Sequence, residues 1–302
     1  NNNYKIIDEK ELIELRIIGT GSCFRVFLFY HIGKEQLVAI KKAICSDNEI
    51  TRYIRREIDN YSKINHPLLP KYIGTNNDKD CIIMEFINGC TLDNIEELNL
   101  NHKEKMKIIF ELIIIFDYLH RNHFIYRDLK PNNIMIDENK TAILIDFNRM
   151  ILFDSADQIS WDFDIFYSGP EINSCKLSYE SDIYSLGKVI EYIMKNNKQS
   201  EELNNLVKMN DIENIIKKCT DETPEKRWPI ALLFLDFYMN HHSEMDLDLF
   251  YKLHIVNFTE NEIKLMNKNQ LLTMNQYILF KCNHSNNEFF SQFIKKSIHY
   301  LT

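Results

Sequence analysis

Glycine is scarce in this 302-residue chain, which has only 7. Against that background Gly19 and Gly21 stand out: both fall in one short turn between apolar runs, Leu15, Ile17 and Ile18 before it and Val26, Phe27, Leu28 and Phe29 after it. Without a Cβ, such a turn lets backbone approach a ligand closely. Positive charge is also in deficit. A net charge of -8 disfavours general binding to nucleic acid, although local basic patches remain compatible with it. A secretory leader is missing, as is any apolar run of membrane-spanning length, so no membrane partner is expected. The cysteines (Cys23, Cys45, Cys81, Cys90, Cys175, Cys219, Cys282) form no CxxC pair and no even framework. Free thiols in a reducing, cytoplasmic setting are therefore expected, with no disulfide partner. At 45% hydrophobic residues the chain can bury one or two sizeable cores.

What is present concentrates between residues 126 and 148. Ile134-Met135-Ile136 and Ala142-Ile143-Leu144-Ile145 are short β-prone runs separated by the polar stretch Asp137-Glu138-Asn139-Lys140, which predicts a hairpin. The entry of one hairpin strand lies beside the exit of the other, so Asn133 and Asp146 converge. Asp128 stands five positions before Asn133 on a loop stiffened by Pro131 and anchored by Tyr118, Leu119, Phe124 and Ile125. Two carboxylates and an amide oxygen facing one cavity suit a hard cation such as Mg2+. Farther upstream, the stretch from Glu49 to Lys63 has Ile50, Ile54, Ile58 and Tyr61 on one helical face, with Glu57 along the same stripe. A carboxylate there needs a cationic partner. Lys41, on the strand Val38-Ala39-Ile40-Lys41, is one candidate; Arg52, Arg55 and Arg56 are local ones.

These motifs resemble the eukaryotic protein kinase family. Tyr126-Arg127-Asp128-Leu129-Lys130-Pro131-Asn132-Asn133 is similar to its catalytic loop, Asp146-Phe147-Asn148 to its DFG triplet, Val38 to Lys41 to its VAIK strand, and Gly19 to Val26 to its glycine-rich loop. The resemblance implies that Asp128 accepts the substrate hydroxyl proton, Lys130 steadies the transferring phosphoryl group, and Glu57 orients Lys41 on the α and β phosphates of ATP. Asn133 and Asp146 would hold Mg2+. Gly19, Gly21, Ser22, Val26, Ala39, Met84 as gatekeeper, and the backbone of Glu85 and Ile87 would surround the nucleotide. Farther along, Gly169-Pro170-Glu171 looks like the APE triplet, Arg227 matches the arginine that pairs with its glutamate, and Asp182 matches an aspartate that braces the catalytic loop.

The fold implied is α+β and bilobal. A small β-rich lobe with one main helix spans 12–86, a hinge 85–89, and a larger, mainly helical lobe 90–240. The apolar stretch Lys103 to His120 reads as an interior helix. A helical extension is expected over 243–302, where Thr259-Glu260-Asn261-Glu262 is a capping box. Its last stretch, Phe289 to Thr302, carries an apolar stripe (Phe290, Phe293, Ile294, Ile298, Leu301) that faintly resembles the start of a Sel1-type repeat, with tail helices capping the large lobe as the alternative.

Departures from the family pattern are Phe24 in place of the third loop glycine, Asn148 in place of the DFG glycine, and Asp164 where a threonine is usual. Asparagine tolerates a left-handed backbone better than most residues. The segment from Asp146 to Glu171 has no threonine, only Ser155, Ser160, Tyr167 and Ser168, but it carries Asp154, Asp157, Asp162 and Asp164; one of these acids is expected to neutralise Arg127 without phosphorylation, with simple solvation of all four as the alternative. The resemblance implies an ATP-dependent serine/threonine kinase acting on protein substrates. A nucleotide-binding pseudokinase is the alternative, and a small-molecule kinase of the aminoglycoside or choline type a third, disfavoured because those relatives lack the Lys130-Pro131 pair.

Overall fold

A computed structural model describes residues 4–21, 23–44, 48–154, 164–174, 178–195, 205–241, 259–267 and 269–274. Ser22, Cys45, Ser155, Asp157, Ser160, Asp162, Cys175, Cys282, residues 243–258 and the stripe from Phe289 to Thr302 lie outside the described residues. The chain divides into two compact units, residues 1–98 with 121–161, and residues 99–120 with 162–302.

The first unit is built on a five-stranded antiparallel sheet of β1 (Leu12–Thr20), β2 (Phe24–His31), β3 (Gln36–Ala43), β4 (Tyr72–Gly74) and β5 (Cys81–Glu85), in the order β1-β2-β3-β5-β4. Register decides which side chains share a face, because the side-chain period of a strand is two. Phe27 pairs with Ile40 and Phe29 with Val38, and these residues pack with Ile7, Ile73, Cys81 and Ile83 into one core cluster. On the alternate positions Val26 pairs with Lys41, Leu28 with Ala39, and Ala39 with Met84. Helix α1 (Asn48–Tyr61) buries Ile54, Glu57, Ile58 and Tyr61 at 2% exposure or less, the stripe the sequence predicts.

Residues before β1 extend this sheet without any periodic pattern to foretell it. Ile6 forms a parallel bridge to Thr75, Ile7 N donates to Thr75 O at 2.9 Å, and Thr75 N donates to Lys5 O at 2.9 Å. A Cβ at Gly74 would stand 2.4 Å from Lys5 O, so the close approach of this N-terminal segment requires glycine there. Burying Ile7 against the sheet stabilises the arrangement by roughly 1.5–3 kcal/mol.

Two small sheets in the same unit fix the central loops from both sides. β6 (Gly89–Thr91), β8 (Ile134–Asp137) and β9 (Ala142–Leu144) form one, and the predicted hairpin is present with Ile134 opposite Leu144. β7 (Phe124–Ile125) and β10 (Ile151–Leu152) form the other. The stretch Tyr126 to Asn133 runs between β7 and β8, and Ile145 to Met150 between β9 and β10. Both are thus pinned at each end.

The second unit is helical: α3 (His102–Arg121), α4 (Tyr179–Lys195), α5 (Asn205–Cys219), α6 (Ile230–His241) and α7 (Glu260–Leu265), after the short α2 (Ile95–Leu98) of the first. Helix α3 is buried on nearly every side, as an interior helix must be when its apolar residues wrap all faces. Phe110 of α3 stacks on Phe234 and Phe237 of α6, with centroids 5.6 and 5.5 Å apart. Glycine at 187 lets α4 and α5 touch, since a Cβ there would meet Cys219 Cβ at 2.5 Å. The Thr259 capping box forms as expected. No helix among the described residues is long and apolar enough to cross a membrane.

Candidate active site

Lys41 is the centre of the first cluster. Register between β3 and β5 places it opposite Ile82, and its Nζ lies 2.8 Å from Glu57 Oε2 and 2.9 Å from Asp146 Oδ1. Of the cations open to Glu57 in the sequence, the structure pairs it with the distant Lys41. Glu57 is fully buried, and its other oxygen accepts from Phe147 N at 3.2 Å. Burial works against the charge on Lys41, but the two carboxylates outweigh it and keep the ammonium protonated. Burial, reinforced by the Asp146 charge, pushes Glu57 up to about 7 despite Lys41. Asp146 is held below its usual range because Lys41 outweighs the burial of its carboxylate. Two carboxylates sharing one cation thus diverge in proton affinity.

Asp128 is the centre of the second cluster. Its Oδ1 receives Lys130 Nζ at 3.2 Å and Arg149 Nη1 at 3.4 Å, and Asn133 Nδ2 donates to its Oδ2 at 2.9 Å and to its backbone carbonyl at 2.7 Å. Burial raises the Asp128 pKa against the pull of Arg149 and Lys130. Ile145 N donates to Asn133 O at 2.9 Å, which sets Asn133 beside the residue preceding Asp146, as the hairpin argument predicts. With its amide nitrogen committed to Asp128, Asn133 leaves its side-chain oxygen for a cation. That oxygen and the ionised Asp146 make a hard donor set that fits Mg2+ completed by water and phosphate oxygens.

Backbone conformation and aromatic packing hold both loops. Arg127 and Asp146 adopt φ of 70° and 64°. Such left-handed non-glycine residues cost of order 1–3 kcal/mol each and cluster at functional sites. Phe147 is fully buried, edge-on to Tyr61 at 4.9 Å and to Tyr126 at 5.9 Å, and Tyr126 donates its hydroxyl to Ile145 O. Asn60 of α1 donates to Phe147 O at 2.9 Å and to Met150 O at 2.8 Å, tying the helix that carries Glu57 to the stretch that carries Asp146.

Gly19 lies near the end of β1 and Gly21 in the β1–β2 turn; neither uses a positive φ, and a Cβ at either would meet only ordinary van der Waals contacts within the chain. Phe24, at the start of β2, sets its ring 4.8 Å from Lys41 Nζ. Val26 and Ala39 lie on the alternate sheet positions with Lys41, and Met84 Sδ accepts from Tyr61 Oη at 3.3 Å. Glu85 N donates to Lys71 O at 2.9 Å, and Ile87 lies two residues past the end of β5.

In the second unit, Arg227 forks onto Glu171, with Nη1 to Oε1 at 2.7 Å and Nη2 to Oε2 at 2.8 Å. Asp182 Oδ2 lies 3.0 Å from His120 Nε2. Asp164 serves its own turn: Oδ1 accepts from Phe166 N at 3.1 Å, and its carbonyl accepts from Tyr167 N. Arg127 Nε donates to Arg149 O at 2.6 Å, while two of the acids suggested for its neutralisation, Asp157 and Asp162, lie outside the described residues. Sequence reasoning missed Arg149 and Asn60; a cation directly after the Asp146 triplet and an amide on the buried stripe of α1 were the available signals.

The chain belongs to the protein kinase family: the model of the protein kinase domain matches residues 12–296. The architecture is accordingly the α+β fold of protein kinases, with a β-sheet N-terminal part and a helical C-terminal part. It is 32% identical over 187 residues to the serine/threonine-protein kinase PrkC of Bacillus subtilis, covering 58% of this chain and 29% of that protein. It is 30% identical over 201 residues to the carbon catabolite-derepressing protein kinase of Candida glabrata, covering 64% and 31%. With CBL-interacting serine/threonine-protein kinase 21 of Arabidopsis thaliana it shares 31% over 152 residues, 48% and 36% of the two chains. The matched stretch is about a third of these relatives' own length.

Proposed function

We propose that this protein kinase is catalytically active, transferring the γ-phosphoryl group of ATP to serine and threonine hydroxyls of protein substrates. The observation that carries this is the pair of clusters in one compact unit: Lys41 between Glu57 and Asp146, and Asp128 between Lys130 and Asn133. Lys41 is charged and positioned to hold the α and β phosphates. Gly19, Gly21, Val26, Ala39 and Met84 would pack about the nucleotide, with Ile87 and the carbonyl of Glu85 toward adenine, since the Glu85 N–H is already engaged. Asn133 and Asp146 would hold Mg2+, which when bound neutralises phosphate charge. Asp128 aims the acceptor hydroxyl in line; the new P–O bond forms as the bond to the leaving ADP oxygen breaks, and the proton passes to the Asp128 carboxylate. Lys130 beside Asp128 favours serine and threonine over tyrosine acceptors by resemblance to the family. Among the described residues, Cys81, Cys90 and Cys219 are free thiols, in keeping with a reducing, cytoplasmic setting.

A second reading, a nucleotide-binding pseudokinase, is favoured by one observation, the Phe24 ring covering Lys41. Transfer of label from γ-labelled ATP to a generic protein substrate, with Asp128→Asn as control, separates the two. Label incorporation that drops by orders of magnitude in the variant supports the active enzyme; incorporation that survives it, or is missing from the native chain, supports the alternative.

A further inference from the structure

We propose that Tyr4 is a positioning residue for phosphoryl transfer: by latching helix α1 to the sheet, it holds Glu57 on Lys41. The inference rests on the active-kinase reading and deepens it.

Helix α1 is held from two opposite sides. At 3.6 residues per turn Glu57 and Asn60 share one side, while Asp59, two positions from Glu57, points away from it. The inner side meets the stretch that carries Asp146: Glu57 Oε1 accepts from Phe147 N at 3.2 Å, and Asn60 Nδ2 donates to the carbonyls of Phe147 and Met150. On the outer side Tyr4 donates its hydroxyl to Asp59 Oδ1.

Tyr4 is itself fastened to the sheet. Thr75 N donates to Lys5 O at 2.9 Å, Ile7 N donates to Thr75 O at 2.9 Å, and Ile7 is buried in the core cluster. From the β4–β5 turn, Lys79 sets its ammonium 4.2 Å from the centre of the Tyr4 ring, and Asn76 donates its side-chain amide to Glu9 Oε1 at 3.0 Å. Lys79 reaches this place from a left-handed backbone, φ 54°, with its N–H on Asn76 O at 3.2 Å. Residues 4–9 and the turn thus form one rim on the sheet, and Tyr4 carries that rim to α1.

Glu57 gives the latch its purpose. Its carboxylate is fully buried, and burial opposes its charge. A small outward movement of α1 would return Glu57 to water and release Lys41, so contacts elsewhere on the helix must set its depth. Tyr61 stacks on Tyr72 of β4 with centroids 6.0 Å apart, which holds the last turn. To this the Tyr4 hydroxyl adds a hydrogen bond to a charged group, worth about tenfold or more in the balance between a seated and a withdrawn helix.

The test compares the native full chain with Tyr4→Phe, which keeps the ring beneath Lys79 and removes the hydroxyl, each with and without Glu57→Gln. Transfer kinetics on a generic protein substrate are measured together with backbone hydrogen exchange by mass spectrometry. Tyr4→Phe should lower kcat about five- to tenfold with KM for the protein substrate unchanged. Exchange should quicken in α1 while β3 and β5 keep native rates. In the Glu57→Gln background the same substitution should change kcat by less than about twofold, because the group it positions is already gone. Native kcat in Tyr4→Phe, or native exchange in its α1, overturns the proposal. So does a loss of equal size in both backgrounds, or faster exchange throughout the sheet, either of which makes Tyr4 a general stabilising contact. If native protein transfers phosphate to no substrate, the active-kinase reading fails separately, and exchange in α1 still decides whether Tyr4 seats the helix.

Discussion

Two buried cations, one in each compact unit, are built alike and differ in what they leave open. Lys41 and Arg227 each meet a glutamate from a distant segment and each lies under an aromatic ring 4.8 Å away, Phe24 for Lys41 and Tyr184 for Arg227. Arg227 is closed. Its fork takes both oxygens of Glu171, and its remaining reach goes to Asp221 O at 2.8 Å and Glu180 O at 2.9 Å. Lys41 instead sits between two carboxylates, one of them the proposed metal ligand Asp146, under a ring carried near a turn. Saturated bidentate pairing holds structure, whereas a shared, point-charge cation can exchange partners with a ligand.

The sharpest way to break this contrast is to remove each cation. Lys41→Met should lower phosphoryl transfer by about 10²–10³-fold or more, the range for losing a charge-stabilising donor, with the fold kept. Glu57 already binds its proton near neutrality, so it can neutralise itself when the lysine is gone. Arg227→Met leaves Glu171 and two carbonyls without their donor and should cost about 3–5 kcal/mol of stability. Denaturant unfolding beside a transfer assay reads both. A Lys41→Met protein that transfers at near-native rate, or an Arg227→Met protein of native stability, would erase the distinction.

Much of the Lys41 cluster was legible in sequence because its parts obey periodic rules. Glu57 falls on an apolar helical stripe where a charge demands a partner, and Asn133 and Asp146 flank a hairpin that must bring them together. The N-terminal segment was not legible: Ile6 and Ile7 are two apolar residues in a polar stretch, too short for any period, and their place depends on the missing Cβ of Gly74. Arg149 was missed for another reason. A long side chain can reach in many directions, and only the anchoring of Phe147 and Met150 by Asn60 selects Asp128. Asp164 was recognised as a departure, but its use in capping its own turn depends on local backbone geometry.

The rings over the two cations differ in what their removal releases. On the proposed reading Phe24 leaves Lys41 when phosphates bind, at a cost of about 2 kcal/mol for a cation–π contact to a buried ammonium. Phe24→Gly should therefore bind Mg·ATP more tightly by about tenfold or more in calorimetry, and Tyr184→Ala should leave nucleotide affinity unchanged. Weaker binding in Phe24→Gly would mean that the ring shields the phosphates rather than competing with them.

The smallest expected effect separates the two glutamates by the sign of their response to pH. Burial and the Asp146 charge raise Glu57 from the usual 4.5 to about 7, whereas Arg227 outweighs burial and lowers Glu171. The native state binds the Glu57 proton more tightly than the unfolded chain does. Its contribution to stability is therefore full below pH 4.5 and is lost as pH rises toward about 7. For Glu171 the native state releases its proton more readily, so its contribution is present above pH 4.5 and is lost as pH falls below that. Thermal midpoints measured from acid to neutral pH should show the difference between native and Glu57→Gln protein shifting across the interval from 4.5 to about 7. The difference for Glu171→Gln should be constant there and shrink only on the acid side. A native-minus-Glu57→Gln gap that widens as pH rises toward neutrality would show that Lys41, not burial, dominates Glu57, and the two ion pairs would then be the same device.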